Sequence, residues 1–133
     1  MDKSDLKDEY LDASDNIRHW NTLRFAELTI YIALTGALLN TMIGKSPPLS
    51  PLVSVPGKIA GLVVTILFFV LQERTMLYWY SFIHRAAELE KELGFRQYSA
   101  RPPAGIITGR NAMRVFFLIM VLFWVISLFW FPS

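Results

Sequence analysis

The sequence predicts an all-α fold: a three-transmembrane-helix membrane protein whose first two helices are long and extend into a cytoplasmic helical bundle. Three features of the sequence carry this reading. Three apolar runs are each long enough to span a bilayer. The first two continue into stretches with apolar residues at helical spacing. Lysines and arginines are shared unequally between the two sides those spans define.

The first apolar run, Phe25 to Ile43, is interrupted mainly by Glu27, Thr29, Thr35, Asn40 and Thr41. The second is strongly apolar from Ile59 to Leu71, crosses Gln72-Glu73-Arg74 and resumes from Met76 to Ile83. The third, Val115 to Phe131, is apolar except for Ser127. A hydrocarbon core about 30 Å thick takes about 20 helical residues. A chain of 133 residues, 53% hydrophobic, is too short to bury three such helices in its own polar sequence, so lipid must cover them. The expected division is one membrane domain over 1–133. Residues 3–23 form a cytoplasmic helix, 24–43 the first span, 44–58 an external proline-rich loop and 59–80 the second span. Residues 81–94 form a second cytoplasmic helix, 95–111 a cytoplasmic loop and 112–131 the third span. Met1 to Asp15 holds six acids and two lysines, unlike the basic start of a secretory signal, so the first run is expected to be retained.

Orientation follows the excess of Lys and Arg in short cytoplasmic loops. The 44–58 segment carries only Lys45 and Lys58. The opposite side carries Arg18 and Arg24, then Arg85, Lys91, Arg96, Arg101, Arg110 and Arg114. The amino end is therefore expected inside and the carboxyl end outside, or periplasmic. Trp20, Tyr78, Trp79 and Tyr80 would anchor the inner interface and Trp130 the outer one. Pro47, Pro48, Pro51 and Pro56 are expected to keep the outer loop out of regular helix. Arg101-Pro-Pro-Ala-Gly105 breaks the chain before the third span, whose start Thr108 or Asn111 would cap.

Ahead of the first span, Leu6, Tyr10, Ala13, Ile17 and Trp20 recur every three or four residues, with acids on the other face. Beyond the second, Trp79, Phe82, Ala86, Leu89 and Leu93 do the same, with Glu88, Glu90, Lys91 and Glu92 mostly off that stripe. Gly94 supplies the stop. A helix from Lys3 to Ile43 would run about 60 Å. The two seams are expected to pair, within one chain or between subunits.

Few polar residues fall inside the spans. Glu27 sits about one turn into the first, where a lone carboxylate is costly. Glu73 and Arg74 lie at the matching depth of the second, so Glu27–Arg74 and Arg24–Glu73 pairs are expected to fix the helix register. Glu27, Tyr31 and Thr35 share a face, with Asn40 and Thr41 near the outer end and Gln72 on the second span. This stripe would hydrogen-bond between packed helices, or line water in an oligomer. Gly36-Ala37 and Gly57, Ala60, Gly61 mark where the first two spans would touch. The third span offers no polar face and is expected to be a peripheral anchor.

No motif points to an enzyme or a cofactor. The absence of cysteine excludes disulfides and thiolate-held metals. His19 and His84 lack partners at ligand spacing, so no metal site is expected. Hydroxyls and acids form no triad pattern, and Thr-Gly-Arg-Asn at 108–111 is too short for a phosphate loop. A net charge of +2, spread over membrane-flanking segments, gives no nucleic-acid surface.

Tyr10-Leu-Asp-Ala-Ser-Asp-Asn-Ile-Arg18, running into Ile32-Ala-Leu-Thr-Gly-Ala-Leu-Leu39, resembles the start of the RipA-type small bacterial inner-membrane proteins. In that family a cytoplasmic helix with an Ala/Ser-Asp-x-Ile/Val element enters a span rich in Thr, Ala and Leu. Trp79, Ile83 and Leu89-Glu-Lys-Glu-Leu93 are similar to its later helix, while the third span departs from the pattern. The resemblance implies a bacterial inner membrane, a homo-oligomer with a cytoplasmic bundle and no enzymatic activity. It transfers no functional residues. The resulting expectation is a non-enzymatic, self-assembling membrane protein. The alternatives are an oligomeric pore lined by first-span polar residues and an accessory subunit of a larger complex. That subunit would offer a partner Arg96 to Arg110 or its acidic amino-terminal face.

Overall fold

A computed structural model gives the chain three α-helices, α1 Lys3–Met42, α2 Pro51–Leu93 and α3 Gly109–Trp130. The structure describes residues 2–42, 49–100 and 108–130, and among these there is no strand. Each helix is long and apolar enough to cross a membrane, which makes this a multi-span membrane protein. At 40 and 43 residues, α1 and α2 are about twice the length a span requires.

The helix ends follow local chemistry, and one of them corrects the sequence reading. The outer loop was expected to reach residue 58, yet α2 begins at Pro51 and carries Pro56 inside it. Proline suits the first position of a helix, where its missing N–H would have no partner. Ser50 O accepts the first two bonds, from Val53 N at 2.9 Å and Ser54 N at 3.0 Å. Pro56 lies early enough in the helix that only the bond to Leu52 is forfeited. Residues 44–48 of the expected loop, with residue 43 at the end of the expected first span, lie outside the described residues. At the other end of α2, Gly94 takes φ +78°, and Gly94 N and Phe95 N both return to Glu90 O, at 2.8 and 3.1 Å. Glycine adopts that left-handed conformation without a Cβ penalty. Thr108 caps α3, its Oγ1 accepting from Asn111 N at 3.2 Å and its carbonyl from Ala112 N at 3.0 Å.

The chain divides into two compact units, Met1–Ala26 with Glu73–Ile106, and Glu27–Gln72 with Ile107–Ser133. In the first unit the two predicted seams pair within one chain. Tyr10, Ala13 and Ile17 of α1 form a buried cluster with Ile83, Ala86 and Leu89 of α2, edged by Leu6, Trp79, Phe82 and Leu93. Ala13 and Ala86 put small side chains at the contact. Trp20 stacks on Tyr78 with ring centroids 4.8 Å apart. Glu9 meets Arg85 at the rim, a half-exposed pair that adds little to stability.

The second unit is organised inside out. Ile30, Ile32, Val63, Leu67, Leu118 and Ile119 are exposed, whereas Thr35, Ser54, Lys58, Thr65, Gln72 and Ser127 are buried. On α2 the buried polar residues Lys58, Thr65 and Gln72 stand seven apart, as do Ser54, Gly61 and Phe68. A seven-residue period keeps one narrow face of a helix turned to its neighbours. The third helix is no peripheral anchor, because Phe117, Trp124 and Ser127 are all buried. Glycine placement also differs from the expectation. Gly36 is exposed, and a Cβ there meets nothing within 4 Å. Gly57 meets Met42 of α1, while a Cβ at Gly61 would overlap the indole of Trp124 on α3. Gly61→Ala is therefore expected to destabilise the protein by about 1–3 kcal/mol, since a buried indole has little room to shift. Gly36→Ala should be neutral or raise stability by up to about 1 kcal/mol through helix propensity. Thermal unfolding in one detergent, followed by circular dichroism, reads both variants.

Candidate functional site: a clasped carboxylate and an intramembrane hydroxyl cluster

Glu90 lies on the seam of α2, four residues after Ala86 and three before Leu93, and is fully buried. Its carboxylate collects donors from the turn that follows the helix. Tyr98 N donates to Oε1 and Ser99 N to Oε2, each at 2.8 Å, and the Tyr10 hydroxyl donates to Oε1 at 3.1 Å. The Tyr98 and Ser14 hydroxyls bond at 2.9 Å, and the Tyr10 ring packs on Phe95 and Tyr98. The positive φ of Gly94 turns the chain back so that these groups meet. A charged group in the last turn of α2 thereby ties segment 95–99 onto α1. Placing Glu90 off the stripe was an error of the sequence reading. The signal available was its spacing from Ala86 and Leu93, and its charge argued against burial.

The electrostatics follow from that geometry. Burial alone pushes the Glu90 pKa up. The backbone bonds from Tyr98 and Ser99, with side-chain bonds from Ser99 and Tyr10, outweigh it and hold the group below the ordinary value of 4.5. For Tyr10, burial acts first and the adjacent Glu90 second, and together they push its pKa up to about 12.

In the second unit Tyr31 is the centre. Only 1% exposed, it sits among Phe68, Phe116 and Phe117, with centroid distances of 5.6, 6.0 and 5.0 Å. Its hydroxyl meets Thr65 Oγ1 at 3.1 Å, and Thr65 donates to Gly61 O at 2.8 Å. Thr35 shares the buried face. Asn40 and Thr41 are exposed, and Thr41 Oγ1 donates to Leu38 O at 2.7 Å. The expected stripe thus divides into a buried pair and an exposed outer end.

Arg24 is held at the level of the aromatic belt. Its guanidinium bonds Met76 Sδ and Asn21 Oδ1, both at 3.1 Å, and lies over the rings of Phe25 and Trp79 at 5.1 and 5.4 Å. Glu27 and Glu73 are half-buried, Gln72 is buried and Arg74 is exposed. Sequence reasoning missed Thr65, Ser54 and Lys58 as buried groups, although the seven-residue period of α2 was there to be read. Among the described residues no cluster of three or more His, Asp or Glu could hold a metal ion.

No protein-family model, curated protein or solved structure matches the chain.

Replacing Glu90 with Leu leaves two N–H groups and a hydroxyl without their acceptor, at an expected cost of about 2–4 kcal/mol. Glu90→Gln keeps the shape and should cost less than Glu90→Leu. The pH dependence has two limbs. The Glu90 contribution is present above pH 4.5, its ordinary value, and is lost as pH falls through the depressed native value. The Tyr10 contribution is complete below pH 10 and is lost as pH rises toward about 12. Unfolding midpoints of the wild type and Glu90→Gln across pH measure the acid limb. Ultraviolet titration of Tyr10→Phe against wild type measures the alkaline one.

Proposed function

We propose that the chain is a non-enzymatic, self-associating protein of the bacterial inner membrane. The amino end and the α2–α3 connection face the cytoplasm and the carboxyl end the periplasm. One observation carries the self-association. On α1, opposite the buried Tyr31 and Thr35, the exposed residues Thr29, Ala33, Gly36 and Asn40 recur at spacings of four, three and four. A face turned only to lipid has no need of small residues. In membranes such residues let a second helix approach closely, and a seven-residue period is that of left-handed helix packing. Large apolar residues such as Ile30 and Ile32 flank the stripe.

Orientation rests on the excess of arginine between the second and third spans, and the bacterial membrane on the family resemblance. The non-enzymatic reading is supported by the tasks of the buried groups: Glu90, Tyr10, Tyr31 and Thr65 are each engaged in holding helices or a turn. A pore lined by Tyr31 and Thr35 has less support, because both are buried in the packing of a single chain. Gly36→Leu, with a side chain the structure has room for, is expected to lower the oligomeric mass in detergent or nanodiscs and leave helicity unchanged. A stable wild-type monomer would overturn the proposal and favour an accessory subunit. An unchanged mass for Gly36→Leu would remove the α1 stripe from the interface.

A further inference from the structure

The first unit carries charge of opposite sign on neighbouring faces. Along α1 the exposed Asp5, Asp8, Asp12 and Asp15 recur at three, four and three residues and so share a face. Beside that face, toward the seam, lies a groove lined by Lys7, Tyr10, Leu11, Phe95, Arg96 and Gln97, with two cations and no acid in its lining. Leu11 and Phe95 remain 49% and 45% exposed in it. The groove therefore has an apolar floor and a positive rim, which suits an acidic helix face.

We infer that the groove receives the acidic α1 face of a second copy of this chain, in a head-to-tail contact. The inference rests on the self-association proposed above and names a part of that interface. Charge complementarity selects the occupant, since the chain itself supplies a negative helical face to match the positive groove. Symmetry selects the geometry. Copies inserted the same way in one membrane are related by rotation about its normal, so equivalent residues stay at equal depth. Lys7 is then level with Asp5 and Asp8 of the neighbour. The packing of Phe95 on Tyr10 brings Arg96 close to that level too. A contact that set aspartate against aspartate, or Lys7 against Lys7, would be repelled. Head-to-tail contacts close into rings when the rotation permits.

Charge reversal tests this directly. Lys7→Glu with Arg96→Glu makes groove and α1 face both acidic, and Asp8→Lys with Asp12→Lys cancels the net charge of the face and puts lysines opposite the basic groove. Each double variant alone is expected to need about tenfold more protein to assemble than wild type. The two mixed together, or all four changes in one chain, should assemble as wild type does. That rescue also shows that the variants fold. Added salt should weaken wild-type assembly, because rim charges are screened. If wild type is oligomeric and the Lys7/Arg96 variant keeps its mass and salt dependence, this inference is overturned and self-association through the spans stands. Failure of the mixture and of the fourfold variant to assemble would also overturn it. A monomeric wild type would remove both.

Discussion

A hydrocarbon solvent offers no hydrogen bonds, so every polar group within it must find a partner inside the protein. The second unit follows from that constraint. Backbone groups are satisfied by helix formation, and the spans accordingly contain nothing else. Some side-chain hydroxyls turn inward, where Tyr31 meets Thr65 and Thr65 meets the Gly61 carbonyl. Lipid tails are as apolar as leucine, so apolar surface gives the helices no reason to associate in this solvent. What remains is close packing and buried polar contact. Each such hydrogen bond is worth only about 1 kcal/mol, so the fit around it matters as much. Gly61 under the Trp124 indole and Tyr31 between Phe68 and Phe117 supply that fit.

The first unit obeys ordinary aqueous rules. Its seam is apolar, with a core of Tyr10, Ala13, Ile17, Ile83, Ala86 and Leu89, and the outer face of α1 before Trp20 carries aspartates, the pattern of an amphipathic helix pair. The exception is Glu90, a buried charge. Removing a carboxylate from water costs several kcal/mol unless hydrogen bonds replace the lost solvation. Two backbone N–H groups and a phenol do so here, and the same bonds order a turn that has no regular structure of its own. The charge thus stabilises a loop more than it stabilises the helix pair.

Much of this fold could be read in the sequence, and the failures have particular causes. Length and hydropathy gave three helices, and three-to-four spacing gave both seams, because those signals are properties of a single helix. The start of α2 was misplaced because proline was read as a breaker. At the first position of a helix, and again six residues in, it costs at most one bond. The spacing of Glu90 from Ala86 and Leu93 marked it for the seam, but its charge argued against burial, and the backbone donors eight and nine residues later that stabilise it follow no side-chain pattern. The role of α3 was underrated for a similar reason. An apolar helix in lipid shows no moment to distinguish its packed face from its lipid face, so Phe117 and Trp124 look like their exposed neighbours Leu118 and Phe123. The polar stripe was half legible. Tyr31 and Thr35 declared their shared face, but only the partner Thr65 shows that the face is closed within one chain.

That closure bears on what the exposed side of α1 is for. The inward Tyr31 and Thr65 hydroxyls are accounted for by contacts within the chain. Thr29, Ala33, Gly36 and Asn40 lie on the opposite side, where lipid would accept leucine equally well and helix propensity would favour it over glycine. Gly36 lowers the stability of its own helix by about 1 kcal/mol relative to alanine, and among the described residues a Cβ there would meet nothing within 4 Å. Asn40 adds an amide that hydrocarbon solvates poorly. Both residues make physical sense if a second helix covers them. The glycine then admits a close backbone and the amide finds an acceptor. The proposed self-association would give both residues a task that contacts among the described residues do not.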